Sequence, residues 1–202
     1  MLTIKNITPG GYAANCYLVT EGQDAVLIDC TAPLPDIKAA LLETGATLRA
    51  VLLTHGHFDH LLTLDAVKQA FGVPIYLGRG DADLPCDGEK NAYTVFFGAP
   101  KTYPTADVLV EDGALLSFGA LRLRVSCTPG HTRGSVLFLG DGIAFTGDTI
   151  FAAGYGRFDL YGGDRIALIA SLQKIAALPG DTVIHPGHGE STALRTALDH
   201  LF

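Results

Sequence analysis

No apolar run in this chain approaches the ~20 residues that a membrane-spanning helix needs, so no such helix is expected. The opening residues, Met1-Leu2-Thr3-Ile4-Lys5-Asn6, lack the apolar core of a secretory signal, and a cytoplasmic location is expected. Basic charge is scarce: 14 Lys and Arg stand against 21 Asp and Glu, a net charge of −7. Nucleic-acid binding requires a basic face, so that class of partner is not expected. Cysteine is sparse and unpaired. Cys16, Cys30, Cys86 and Cys127 form no CxxC, which removes zinc knuckles and thioredoxin-type motifs. All four read as buried reduced thiols. No G-x-S-x-G elbow is present, so the chain carries no serine nucleophile of that type. Linkers and low-complexity tracts are missing too, and 202 residues suit one domain over 1–202.

What the chain does have is Thr54-His55-Gly56-His57-Phe58-Asp59-His60. Four metal-ligand types in the spacing HxHxDH arise by chance in roughly one chain in ten thousand of this size. The run follows Ala50-Val51-Leu52-Leu53, an apolar stretch too short for a helix and read as a buried strand. In extended backbone His55 and His57 point the same way, because side chains alternate with period two. A bend at Gly56 or Phe58 turns Asp59 and His60 towards a second point. The four ligands therefore suit two metals side by side, unlike a helical HExxH.

Two metals bridged by a water require about seven protein ligands. Downstream lie Thr128-Pro129-Gly130-His131-Thr132, Thr146-Gly147-Asp148-Thr149 and Pro186-Gly187-His188-Gly189. Each puts one ligand beside glycine after an apolar, strand-like run. Glycine permits the sharp turn and a close approach of backbone to a metal.

As a set, THGHFDH (54–60), TPGHT (128–132), TGDTIF (146–151) and PGHG (186–189) resemble the metallo-β-lactamase-fold superfamily. Within it the chain resembles the small glyoxalase II-like metallo-hydrolases. Gly156 to Asp164 is similar to the family's GRxDxxGGD segment, and Asn15-Cys16-Tyr17-Leu18-Val19 with Val26-Leu27-Ile28-Asp29 to its opening strands. The resemblance implies an α/β (α+β) fold, a four-layer αββα sandwich. It implies that His55, His57 and His131 hold a first metal. Asp59, His60 and His188 would hold a second, with Asp148 bridging both. The ligands are N and O donors, so zinc is the default, with iron and manganese admitted. Some members of this group are expected to run with one metal.

The chemistry so implied is hydrolysis of a small-molecule thioester or ester. A water between two divalent cations loses its proton near neutral pH, and the hydroxide attacks a polarised carbonyl. Asp59 would orient it and pass a proton to the leaving group. Thiolate leaves without strong acid assistance, which favours a thioester. Three departures from the family bear on the substrate. Arg195 is the only basic side chain after His188, which argues against a full glutathione grip. Leu61-Leu62 replaces glycines, a packing change. Arg133 replaces a proline and is either surface or a contact for an anionic substrate. β-Lactam hydrolysis is not expected as the native role, because secreted lactamases of this fold commonly carry cysteine at Asp148. Two rivals stay open: a mononuclear iron persulfide dioxygenase, and a non-catalytic metal-binding member of the fold.

Strands are expected near 3–8, 14–20, 25–29, 50–54, 74–77, 107–110, 114–117, 120–127, 134–139, 142–146 and 182–185. Helices are expected at 35–44, 59–71, 163–177 and 190–201, the third with Ile166, Ile169, Ala170, Leu172 and Ile175 on its apolar side. Residues 85–106 show no clear periodicity. Within them Asn91, Tyr93, Phe96 and Phe97 either line a pocket or form a satellite cluster. His185 and His200 read as structural and solvated. Arg157 and Asp159 either pair with each other or shape a rim.

Overall fold

The structure, a computed structural model, describes residues 2–201. In its first half, β1 (Thr3–Asn6), β2 (Tyr17–Glu21), β3 (Asp24–Ile28), α1 (Leu34–Thr44), β4 (Thr47–Leu53), α2 (Leu64–Phe71), β5 (Ile75–Gly78), α3 (Tyr93–Phe97) and β6 (Val108–Val110) follow one another. Then come β7 (Leu115–Phe118), β8 (Leu121–Cys127), β9 (Val136–Gly140), β10 (Ile143–Gly147), α4 (Arg165–Ala176), β11 (Val183–Pro186), β12 (Thr192–Ala193) and α5 (Leu194–Asp199). Strands β1 to β6 form one sheet in chain order, and β7 to β12 form a second.

Period two explains how the sheets stack. In β3, Val26 and Ile28 face the second sheet with Tyr17, Val19, Ala50 and Leu52, meeting Leu121, Leu123, Val125, Phe138 and Phe145. The intervening Ala25 and Leu27 point outward against Ile37 of α1 and Leu64 and Val67 of α2. The second sheet repeats the pattern: Leu137, Ala144 and Ile184 turn outward against Leu168, Leu172 and Ile175 of α4 and Leu194 of α5. Each central strand is thus covered on both faces. This is why the runs at β3 and β4 read as unbroken apolar stretches. A buried side chain such as Phe138 contributes about 1.5–3 kcal/mol through lost apolar exposure. The four-layer αββα sandwich is as expected.

Four details differ. The expected helix at 59–71 is a 3-10 turn, Phe58–His60, followed by a separate α2. The second half of the HxHxDH run therefore lies on a tight turn rather than on a helix. The buried face of α4 is Leu168, Ser171, Leu172 and Ile175, an i, i+3, i+4, i+7 stripe. Ile166 is 81% exposed, Ile169 44% exposed, and Ala170 is exposed too, so all three were misplaced on the apolar side. The start of α4 is set by Asp164, whose carboxylate accepts from the N–H groups of Ile166 and Ala167. The final expected helix begins later, after the short strand β12. Residues 85–106 contain the short helix α3.

The ends of β3, β4, β8, β10 and β11 open on one rim. Here the two sheets are tied by polar bonds as well as by apolar packing. The Val136 N–H donates to the Thr54 carbonyl (2.9 Å) and that of Asn15 to the Gly187 carbonyl (2.6 Å). The Tyr17 hydroxyl reaches the Pro186 carbonyl at 2.8 Å.

Candidate metal centre

All seven residues expected as ligands meet at this rim. His55, His57 and His131 place one ring nitrogen each within 4.8 Å of the others, and so do the corresponding atoms of Asp59, His60 and His188. A third such group, His55, His60 and Asp148, joins the two. Asp148 lies between them: Oδ1 is 3.3 Å from His60 Nε2, and Oδ2 is 3.7 Å from His131 Nε2 and 3.6 Å from His188 Nε2. Asp148 thus stands within 4 Å of a histidine from each group.

Backbone close approach is required at two glycines. A Cβ on Gly187 would sit 2.1 Å from Asp148 Oδ1, and one on Gly147, at φ +48°, 2.5 Å from Thr54 Oγ1. Gly130 has a different reason: a Cβ there would meet the α4 backbone at Leu168, 2.3 Å away. Helix packing, not approach to a metal, excludes a side chain at that turn.

The outer nitrogens of three histidines fix where the inner ones point. His131 Nδ1 donates to the Arg157 carbonyl (2.7 Å). His60 Nδ1 donates to Asp29 Oδ2 (2.8 Å). His55 Nδ1 lies 3.2 Å from Thr54 Oγ1, whose hydroxyl donates onward to Asp29 Oδ2 at 2.9 Å. The Nε2 atoms of His55 and His131 are thereby left as lone pairs aimed into the cluster, and that of His60 is turned towards Asp148. Asp29 orients a histidine from each group, one directly and one through Thr54. It is 2% exposed and sits at φ 56°.

Those lone pairs crowd. His55 Nε2 and His131 Nε2 are 3.2 Å apart, and His57 Nδ1 is 2.9 Å from His131 Nε2. Imidazole acceptors packed this closely repel unless positive charge lies between them. Beside them His60 Nε2 faces Asp148 Oδ1 at 3.3 Å, both atoms buried. The electrostatics agree. Burial, then the neighbouring histidines, pushes His55 well below its ordinary pKa, and burial and His131 push His57 down to about 3. Both stay neutral and free to donate to a cation. Burial opposes charge on His60, but Asp29 and Asp148 outweigh it and hold its pKa well above normal. Burial raises Asp148, yet His60, His131 and His188 bring it far below the carboxylate range. Asp59 is likewise lowered, burial being outweighed by His188 and His60. The donor set therefore fits divalent metal.

A cavity of about 280 Å³ opens onto the cluster, with His57, Asp59, His131 and Asp148 on its floor. Phe96 and Phe97 line it. Tyr93 instead packs on Phe97, ring centroids 4.6 Å apart, and Asn91 is structural, its amide donating to the Lys101 carbonyl at 2.9 Å. Arg157 both pairs with Asp159, at 2.6 and 2.8 Å, and forms part of the rim. Arg133 does not face the cluster; its guanidinium lies over Tyr161 at 5.4 Å, beside a separate cavity. His185 is outside the centre, hydrogen-bonded to Ser191 (2.8 Å) and stacked on Phe145. The four thiols are free, with Cys16 and Cys30 buried, but Cys86 is exposed and Cys127 half-buried, contrary to expectation.

Three supporting residues escaped the sequence reading. Asp29 stands at a strand end, after Val26-Leu27-Ile28. Asp81, fully buried, accepts from Gly56 N–H (3.0 Å), Thr132 Oγ1 (2.7 Å) and Gly134 N–H (2.7 Å), tying the His55–His57 loop to the His131 loop. Asn15 Nδ2 donates to the Pro186 and Gly189 carbonyls, both at 2.9 Å, and so clamps the His188 loop.

Residues 9–188 match the metallo-beta-lactamase superfamily. The chain belongs to that superfamily. Similar members include the probable metallo-hydrolase YqgX of Bacillus subtilis, 34% identical across 96% of this chain and 94% of the other. A hydroxyacylglutathione hydrolase of Brucella anthropi is 39% identical over 85% of this chain and 59% of that enzyme. Among solved structures, the B3 metallo-beta-lactamase BLEG-1 superposes with TM-score 0.91, at 34% identity over 98% of this chain and 97% of its own. TTHA1623 in a di-iron-bound form gives TM-score 0.83, at 35% identity over 95% and 96%. ETHE1 from Myxococcus xanthus gives TM-score 0.79, at 26% identity over 98% of this chain and 82% of its own. The superfamily's divalent-metal chemistry and this His/Asp cluster agree. No helix among the described residues is long and apolar enough to cross a membrane.

Proposed function

We propose that this metallo-hydrolase cleaves a thioester, or a related ester, at a two-metal centre. His55, His57 and His131 would hold one ion, Asp59, His60 and His188 the other, with Asp148 shared between them. The observation that carries this reading is the crowding of neutral imidazoles, His131 Nε2 lying 3.2 Å from His55 Nε2 and 2.9 Å from His57 Nδ1, beside the second group of Asp59, His60 and His188. Zinc suits the N and O donors, and the likeness to a protein solved with two irons keeps iron in contention.

When bound, the ions supply a water that ionises near neutral pH and polarise the substrate carbonyl. The chain's own residues do the rest. Asp59 stands on the cavity floor with Oδ2 3.3 Å from His188 Nε2. Held ionised, it accepts a proton at a carboxylate oxygen and returns it towards the departing group. Hydrolysis adds water across the acyl–sulfur bond and yields a carboxylic acid and a thiol. Thiolate leaves with little proton assistance, so the low basicity of Asp59 suffices.

The test is turnover of S-lactoylglutathione by metal-reconstituted protein, with His57→Ala as control. Metal-dependent hydrolysis lost in the variant is expected. Loaded protein inert towards thioesters and esters alike would overturn the reading. A second reading, β-lactam hydrolysis, is favoured by the near-complete superposition on BLEG-1 and is checked with nitrocefin under the same conditions. Oxygen uptake on a persulfide by a one-iron form would instead support the dioxygenase alternative.

A further inference from the structure

The cavity wall above the metal loop is built from aromatic rings with no role in ligation. Phe58, inside the HxHxDH run, is 5% exposed and is the hub. Its ring lies 6.1 Å from Tyr12, 5.5 Å from Phe96 and 5.5 Å from Phe97. Its N–H donates to the Asn91 carbonyl (3.0 Å), which fixes the α3 segment to the metal loop. The outer rings are left open: Tyr12 is 60%, Phe96 53% and Phe97 47% exposed. Three aromatic side chains displayed around one cavity mouth cost solvation that a bound apolar group recovers.

Charge points the same way. Among the described residues, Arg157 is the only Lys or Arg on the cavity wall. Its guanidinium is occupied by both oxygens of Asp159 and lies over Phe96 at 5.9 Å. A substrate arm bearing several carboxylates finds no free counter-ion here, whereas an aryl or alkyl arm finds rings on several sides.

Resting on the hydrolase reading above, we propose that the substrate is a thioester or ester with an apolar arm, aryl or medium-chain alkyl. This arm is seated against Tyr12, Phe96 and Phe97 beside the scissile carbonyl. Burial of each methylene contributes about fourfold in affinity when complete, so a half-open seat should give about twofold per methylene.

The test uses metal-loaded protein and two thioester series. One varies the acyl group, acetyl to hexanoyl and phenylacetyl, on one thiol. The other varies the thiol, methyl to benzyl, on one acyl group. A rise in kcat/KM of tenfold or more along either series is expected. Phe97→Ala should flatten that rise, while Leu42→Ala, distant and 85% exposed, leaves it intact. Flat series with measurable turnover would overturn the apolar seat and leave the hydrolase reading standing. If no thioester turns over, the hydrolase reading fails, and binding decides the seat by NMR titration with phenylacetate, benzyl mercaptan and acetate. Either aryl ligand binding tenfold tighter than acetate, with the gain lost in Phe97→Ala, supports it. Equal binding of all three refutes it.

Discussion

Replacing Asp29 by Asn should uncouple metal affinity from folding, and the structure gives the size of each effect. Asp29 accepts from the Thr54 N–H (2.8 Å), the Thr54 hydroxyl (2.9 Å) and His60 Nδ1 (2.8 Å). Alanine would strand three buried donors at about 1–3 kcal/mol each, a large part of a typical net stability of about 5–15 kcal/mol. Asparagine is gentler. Its carbonyl still serves Thr54, and its amide turns a donor towards His60 Nδ1. The imidazole must then accept at Nδ1 and carry its proton on Nε2, the atom that faces Asp148. The fold should lose only about 1–2 kcal/mol, since one charge-assisted bond becomes a neutral one. Affinity at the site served by His60 should fall about 10–100-fold. Nitrogen-15 imidazole spectra of the metal-free variant would report loss of the Nδ1 proton, and chelator competition the affinity. Two ions per chain held at wild-type affinity, with the Nε2-protonated tautomer present, would refute the reasoning.

Asn15→Ala removes two bonds to the His188 loop while its backbone link to Gly187 survives. Metal content should drop from two ions per chain towards one, at a stability cost of about 1–3 kcal/mol, measured by elemental analysis and urea unfolding. Gly187→Ala forces a methyl onto Asp148 and His60; activity should fall more than about 100-fold and stability by about 1–3 kcal/mol, and a fully active variant would contradict the packing. His185 has its pKa lowered by burial from 6.5 to about 4. Between those values the unfolded chain binds the extra proton, so this group's contribution is full above about pH 6.5 and lost as pH falls to about 4. In metal-free protein, urea midpoints at pH 7 and pH 5 should differ less in His185→Gln than in wild type.

Much of this was legible because the chemistry is local in sequence. Each expected ligand follows a buried strand by one to a few residues, so a strand-plus-turn reading places it. The supporting groups are less visible. Asp29 reads as a polar end to a hydrophobic strand, and only its φ of 56° and three donors reveal its purpose. Asp81 reaches Thr132, 51 residues further along the chain, a relation no local pattern carries. The face of α4 was misread because isoleucines lie around much of its circumference, so the sheet it packs on chose the stripe. Helix α3 has five residues, too few for a period, and its segment is held by Asn91 and Phe58.

Each sheet comes from one uninterrupted half of the chain, and the centre takes residues from both. His55, His57, Asp59 and His60 belong to the first half; His131, Asp148 and His188 belong to the second. Ions held there would act as a clasp across a seam, fastening two separately woven pieces at their shared lip. Loading the centre would then slow the parting of the halves as well as arm the reaction. A chain stripped of metal would come undone first along the edge where substrate enters.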